Sequence, residues 1–267
     1  MKRRRSRVLS EDGKKLLCVA YEPPVFVKTK CHRLSAIFHD LFSTQYDTRL
    51  EETVHLFRNG SEALMSKLDS TNLPRCTDNA ILNMLTMILR DDRKSREFRR
   101  QDVKNNIRWY LNVAHRARET KDHNTAVLLR SVLCHHAISR LQITSQRMAE
   151  KMNLLEQEYG TFMDCQKHHI ETILKTKPSL FRPGEHIPSA MIVDMYKNRT
   201  KEHMKAFQSI GKMPAALIDI RKKMRQLTDV LLNNFQRKKD HPLIPLYDST
   251  PELTRNEIQK LSYRIHQ

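Results

Sequence analysis

Side chains able to do covalent or coordination chemistry are plentiful in this chain, so their spacing is the first thing to weigh. Among 13 His and 5 Cys, two adjacent His pairs stand out, His135-His136 and His168-His169, with Cys134 and Cys165 close by. A metal centre needs ligands that converge on one point, commonly through Cys-x-x-Cys or His-Glu-x-x-His spacing. Neither pattern accompanies these residues, and adjacent residues on a helix point about a hundred degrees apart. No metal ligand set is therefore assigned. A Cys/His hydrolase built on Cys134 or Cys165 would need a local feature that activates the thiolate, and nothing near either residue marks one. With this many His, chance pairs are expected, and no catalytic residue is assigned.

Glycine spacing closes another route. The 5 Gly lie at 13, 60, 160, 184 and 211, too far apart to form a phosphate-cradling loop of the dinucleotide or Walker kind. No nucleotide or other cofactor is expected to be held by the chain itself. The formal net charge is +18 with a pI near 9.9, which raises nucleic acid, anionic membrane and acidic protein surfaces as partners. The basic residues are spread along nearly every predicted helix and aromatics are sparse, so a base-stacking platform is disfavoured and nucleic acid ranks below the others. Scattered cysteines at 18, 31, 76, 134 and 165 suit free thiols in a reducing compartment better than a disulfide framework. No apolar run approaches the roughly 20 residues of a membrane span. Met1 to Arg5 is basic, but Ser10-Glu11-Asp12-Gly13-Lys14-Lys15 stands where a signal peptide needs its apolar region. A soluble, cytoplasmic chain is expected.

The elements that must position any site are helical. Residues 101 to 144 read as two amphipathic helices joined by a polar turn. Val103, Ile107, Tyr110, Leu111, Ala114 and Ala117 share one face of the first, and Leu129, Val132, Leu133, Ala137 and Leu141 one face of the second. Lys121-Asp122-His123-Asn124 supplies the break, with Asp122 or Asn124 able to cap the next helix. Upstream, residues 1–30 read as a basic, loosely ordered arm whose Lys2-Arg3-Arg4-Arg5 cluster is a solubilising tail, a nuclear-import signal or an anionic-membrane patch. Helices are predicted over 33–42 and 47–69, with Gly60 weakening the middle of the second. Leu73 to Asp78 reads as a linker and cap before the apolar run Ile81 to Leu89. Downstream, Met148, Met152, Leu155 and Tyr159 form a further stripe, and a helix begins near Ser189. Met213 to Phe235 is the most regular helix, too short in its repeat for a coiled-coil dimer, so a monomer is expected. Ser249-Thr250-Pro251 is predicted to start the last helix. Fold class is all-α, a multi-helix orthogonal bundle, with residues 31–267 forming one domain.

The central pair resembles the catalytic domain of the Ras-family guanine-nucleotide exchange factors. That family has a helix with a large residue followed by Ile-x-x-Ala, then an Asn-Phe-Asn or Asn-Tyr-Asn turn, a second apolar helix and a closing Val-x-Arg-Leu. The counterparts are Trp109 through Ala114, Asp122-His123-Asn124 and Ile138-Ser139-Arg140-Leu141. Further on, His186-Ile187-Pro188 is similar to its Cys-Val-Pro, and Ser262-Tyr263-Arg264-Ile265-His266-Gln267 to its terminal Ser-Leu-x-Ile-Glu-Pro. Order and spacing agree from about residue 80 to 267. The departures are His123 in place of the turn aromatic, no Trp after Arg140-Leu141, and no Gly-x-Tyr-Leu-Thr after Pro188.

The resemblance implies a structural role for Trp109, Asn124, Arg140, Leu141 and Pro188. It also implies a protruding helical hairpin, placed here at residues 161–207, that pries open the nucleotide site of a small GTPase. Its GTPase-facing candidates are Ile170, Glu171, Ile173, Leu174, Tyr196 and Lys197, with Glu171 the acidic and Leu174 the apolar wedge. Such a protein makes and breaks no covalent bond and needs no cofactor or metal. The implied partner is a Ras-superfamily GTPase in the cytoplasm, or in host cytosol if the chain is a secreted bacterial effector. Two alternatives stay open: a basic helical module for nucleic acid or anionic membrane, and an exchange-like protein that binds a GTPase without activating it.

Overall fold

The computed structural model describes residues 46–65, 72–89, 96–161, 187–208, 241 and 243–266, with 215, 218 and 222 described singly. Among the described residues the elements are helices: α1 Tyr46–Met65, α2 Leu73–Leu89, α3 Arg96–Glu119, α4 His123–Leu133, α5 His136–Ser139, α6 Gln146–Tyr159, α7 Ala190–Gln208, α8 Ile244–Asp248 and α9 Arg255–His266. One isolated parallel bridge, Asp122 with Ile187, is the β-type pairing found there. No described helix is long and apolar enough to cross a membrane.

The chain turns on α4. It packs most extensively on α3 and also meets α1, α2, α5 and α6. Touched on so many sides, α4 buries Asn124, Thr125, Ala126, Leu128, Leu129, Val132 and Leu133 and leaves a half-buried stripe of His123, Val127, Arg130 and Ser131. The expected apolar face of α3 is buried as read: Val103, Ile107, Tyr110, Leu111, Ala114 and Ala117 all lie in the core. Burying Val103, Ile107 and Leu111 contributes about 1.5–3 kcal/mol each, and the small Ala114 and Ala117 let the neighbouring helices approach. Met148, Leu155 and Tyr159 of α6 are buried against the same core, with Met152 partly so.

Three expectations need correction. The second helix of the central pair is not continuous, since α4 stops at Leu133 and a new turn, α5, starts at His136. Between them His135 is extended (φ −62°, ψ 139°), and its ring Nδ1 accepts from Ala137 N at 3.2 Å, capping α5. Leu73 to Asp78 is not a linker but the first turns of α2. Asn72 caps it, its Oδ1 accepting from Arg75 N at 3.3 Å, and Pro74 sits in the first turn, where its missing N–H costs nothing. The last helix starts at Arg255, not near Ser249. Thr254 Oγ1 accepts from Glu257 N at 3.3 Å while Glu257 Oε2 accepts from Thr254 N at 2.8 Å, a reciprocal capping box.

Gly60 has a use that a helix-propensity reading misses. A Cβ there would lie 3.0 Å from both Cβ and Cδ1 of the buried Leu243, so the missing side chain lets α1 lie against the segment leading into α8. The Met213 to Phe235 stripe, the 33–42 helix and the N-terminal arm lie outside the described residues, apart from Ala215, Ile218 and Lys222, which are helical.

Candidate functional site

The turn after α3 is built to reverse the chain and to hold a second segment. Lys121 adopts a positive φ of 60°, a left-handed conformation that swings Asp122 under the start of α4. His123 N then donates to Ile187 O, and Ile187 N donates to Lys121 O, each at 2.9 Å. This pins Ile187-Pro188 beside the turn. Both residues are buried.

Behind the bridge lies a buried polar cluster. Asp122 Oδ1 accepts from Thr125 N at 3.1 Å, so of the two cap candidates, Asp122 and Asn124, it is Asp122 that caps α4. Its Oδ2 accepts from Thr125 Oγ1 at 2.5 Å and Ser61 Oγ at 3.4 Å. Asn124 donates to Ser61 Oγ at 3.1 Å and accepts from Ala190 N at 3.0 Å, so one side chain ties α1 and α4 to the first residue of α7. Tyr247 of α8 hydrogen-bonds Asn124, and burial, then the nearby Asp122 charge, hold its phenol above its ordinary range. Burial likewise raises the Asp122 carboxyl, against the hydrogen bonds of Thr125 and the charge of Arg58. Arg58 closes the corner by donating to Thr120 O at 2.6 Å.

A second junction joins α5 to α9. Ser262 Oγ donates to Ala137 O at 2.6 Å, and the Arg140 guanidinium sits 3.7 Å from the centre of the Tyr263 ring. Leu141 is buried, and its carbonyl accepts from Arg100 at 3.3 Å. Trp109 is buried in the core from α3. Of the remaining predicted site residues, Ile170, Glu171, Ile173 and Leu174 lie outside the described residues. Tyr196 and Lys197 fall on α7, with their side chains outside that description.

The nucleophile candidates in view are poorly suited to attack. Burial pushes the Cys134 thiol up to about 11, with Arg130 opposing and Glu156 adding to the rise. It stays protonated at neutral pH, whereas an attacking thiol needs its thiolate. The His135 and His136 rings stack with centroids 4.1 Å apart instead of converging on a point, and His135 is held below its usual pKa by burial. His123 is engaged by the Tyr159 hydroxyl at 3.0 Å. Among the described residues no group of three His, Cys, Asp or Glu side chains is placed to hold a metal ion. Cys165 and the His168-His169 pair lie outside the described residues.

A groove of ≈ 530 Å³ opens between α3 and α6 beside the start of α1, lined among others by Arg108, His115, Arg116, Arg147 and Lys151. In the sequence these count among the basic residues spread along nearly every predicted helix. His115 accepts no charge readily, because burial lowers its pKa, and its Nε2 lies 2.9 Å from Lys151 O. The signal available in the sequence was the recurrence of Arg108, His115 and Arg116 at helical spacing; what it could not supply was α6 lying alongside.

Comparison of the chain with family models, with curated proteins and with solved structures finds no match.

Proposed function

We propose that the chain is a guanine-nucleotide exchange factor for a small GTPase of the Ras superfamily. The observation that carries this reading is how the resembling segments meet. The Asp122-His123-Asn124 turn is hydrogen-bonded to Ile187 and Ala190, and the Ile138 to Leu141 segment is joined to Ser262-Tyr263. Segments that lie far apart in the chain are thus paired as parts of one scaffold, as a shared structural role requires.

Exchange needs no acid, base or nucleophile. It needs a surface that binds the nucleotide-free GTPase more tightly than the loaded one, and that difference in affinity is the driving force. By linkage, exchanger and nucleotide weaken each other's binding by the same factor. The rigid base would be the α3–α4 pair, and α7 leaves it from a start fixed by Asn124. In this reading Ile170, Glu171, Ile173, Leu174, Tyr196 and Lys197 face the GTPase from the hairpin of residues 161–207. Glu171 and Leu174 displace the Mg²⁺ and phosphate contacts of the nucleotide site.

The test is release of fluorescent GDP from a panel of small GTPases on adding the full chain. Accelerated release from at least one GTPase is expected, and Glu171→Ala with Leu174→Ala should slow it with melting unchanged. No acceleration across the panel would refute the function. Melting that falls by the about 2–5 kcal/mol of a truncated core Leu would instead place Leu174 in the interior and remove the wedge assignment.

A further inference from the structure

The groove between α3 and α6 combines an apolar floor with crowded positive charge. Leu111 and Met148 are buried in the floor. Arg108, Arg116, Arg147 and Lys151 are the basic residues around it, and Glu119 is the carboxylate among its lining. Glu119 is engaged with Arg116 at 3.0 Å, which also holds Glu51 at 2.7 Å. Arg147 and Lys151 lie four residues apart on α6 and so share a face, where two cations repel. Lys151 Nζ donates to Asn112 Oδ1 at 2.7 Å, a neutral acceptor. Burial and then the Arg147 charge hold the Lys151 pKa below its ordinary value. An ammonium held this way gains from an anion placed between it and Arg147.

We propose that this groove binds a small organic phosphate, with Arg147 and Lys151 contacting phosphate oxygens and Leu111 and Met148 packing against the body that carries them. Its ≈ 530 Å³ falls within the about 300–1,000 Å³ of small-molecule sites. Guanidinium groups favour phosphate because their forked donors match its oxygens, and one phosphate can meet Arg147 and Lys151 together. A nucleic-acid track is disfavoured, since no Phe, Tyr or Trp lines the groove for bases to stack on. The same phosphate chemistry is offered by a soluble metabolite or by a phosphoinositide headgroup. The site is independent of exchange activity.

The test uses the full chain at about 0.15 M salt, where long-range surface attraction is screened. Calorimetry with inositol hexakisphosphate and with inorganic pyrophosphate forms one arm. Sedimentation with phosphatidylcholine vesicles, with and without phosphatidylinositol bisphosphate, forms the other. Saturable one-site binding is expected, weakened at least about tenfold by Arg147→Gln or Lys151→Gln, as loss of a charged hydrogen bond implies. Arg264→Gln, which removes a cation from an exposed position on α9, should leave it unchanged. Binding in solution assigns a free organic phosphate, and retention confined to the phosphoinositide vesicles assigns the lipid headgroup; either outcome supports the site. No saturable binding to any probe, or equal weakening by Arg264→Gln, overturns it. If Lys151→Gln fails to fold, Arg147→Gln decides alone, because Arg147 is exposed.

Discussion

At the α1–α4–α7 junction, Ser61, Asp122, Asn124 and Thr125 are buried and answer one another's hydrogen bonds. In the groove along the second half of α3, by contrast, Arg147 and Lys151 share a face with like charge and Lys151 turns to a neutral amide. Buried polar groups are costly unless satisfied, so an arrangement like the junction is explained by folding alone. The groove is not, because moving Arg147 to another face would relieve the repulsion and leave the Lys151 bond to Asn112 in place. The contrast separates polar residues that hold the protein together from polar residues that await something else.

The junction should therefore be the place where polar substitutions do the most damage. Asp122→Ala leaves Thr125 N without its acceptor, takes the carboxylate away from the Thr125 and Ser61 hydroxyls, which keep their mutual 3.0 Å bond, and removes the α4 cap. It should cost about 3 kcal/mol in chemical denaturation. Asp122→Asn should be much milder, since an amide can accept from Thr125 N and donate to a hydroxyl. It also tests the charge. Burial raises the folded-state pKa of Asp122, so the folded form holds its proton more tightly than the unfolded form. The stability from that proton is full below the unfolded carboxyl pKa of about 3.9 and is lost as pH rises through the folded value. Wild type should lose stability relative to Asp122→Asn on going from about pH 4 to neutrality. A gap that is flat or widens the other way would mean that the hydrogen bonds of Thr125 outweigh burial.

A smaller loss is expected where the same junction is closed by shape alone. Gly60→Ala gains helix propensity, yet its methyl would sit 3.0 Å from Leu243 Cβ. A Cβ cannot rotate away, so overpacking should win by about 1 kcal/mol. Thermal melting at neutral pH checks this, and a stabilised variant would show that α1 and the Leu243 segment separate easily.

These cases show how far the sequence could be read. The α3 face and the Asp122 cap were legible because they depend on local spacing. The His135 break was not, because no Gly or Pro marks it; it is made by a ring capping its own neighbour and by Ser262 taking the Ala137 carbonyl from across the fold. The start of α9 was written in Thr254-x-x-Glu257 but passed over for the more conspicuous Ser249-Thr250-Pro251. Pro74 stood inside what was read as a linker and cap, although the first turn of a helix tolerates proline. The pairing of the Asp122-His123-Asn124 turn with Ile187 depends on Lys121's left-handed conformation, which no local pattern announces. The groove needed α3 and α6 to be laid side by side, which no local pattern on either helix specifies.

The smallest effect should have the opposite sign. Arg147 lies in the first turn of α6, whose first turn has no acidic residue. A cation there opposes the helix dipole as well as Lys151 four residues on. Arg147→Gln removes both repulsions and should raise stability by about 0.5 kcal/mol, a shift of a few degrees or less in melting temperature. The gain should shrink as salt is added, since exposed charges are screened, and it should coincide with the loss of phosphate binding. A residue that costs stability and confers binding is what a ligand site requires. If Arg147→Gln instead destabilises the chain at low salt, Arg147 has a structural role and the contrast between groove and junction fails at this residue.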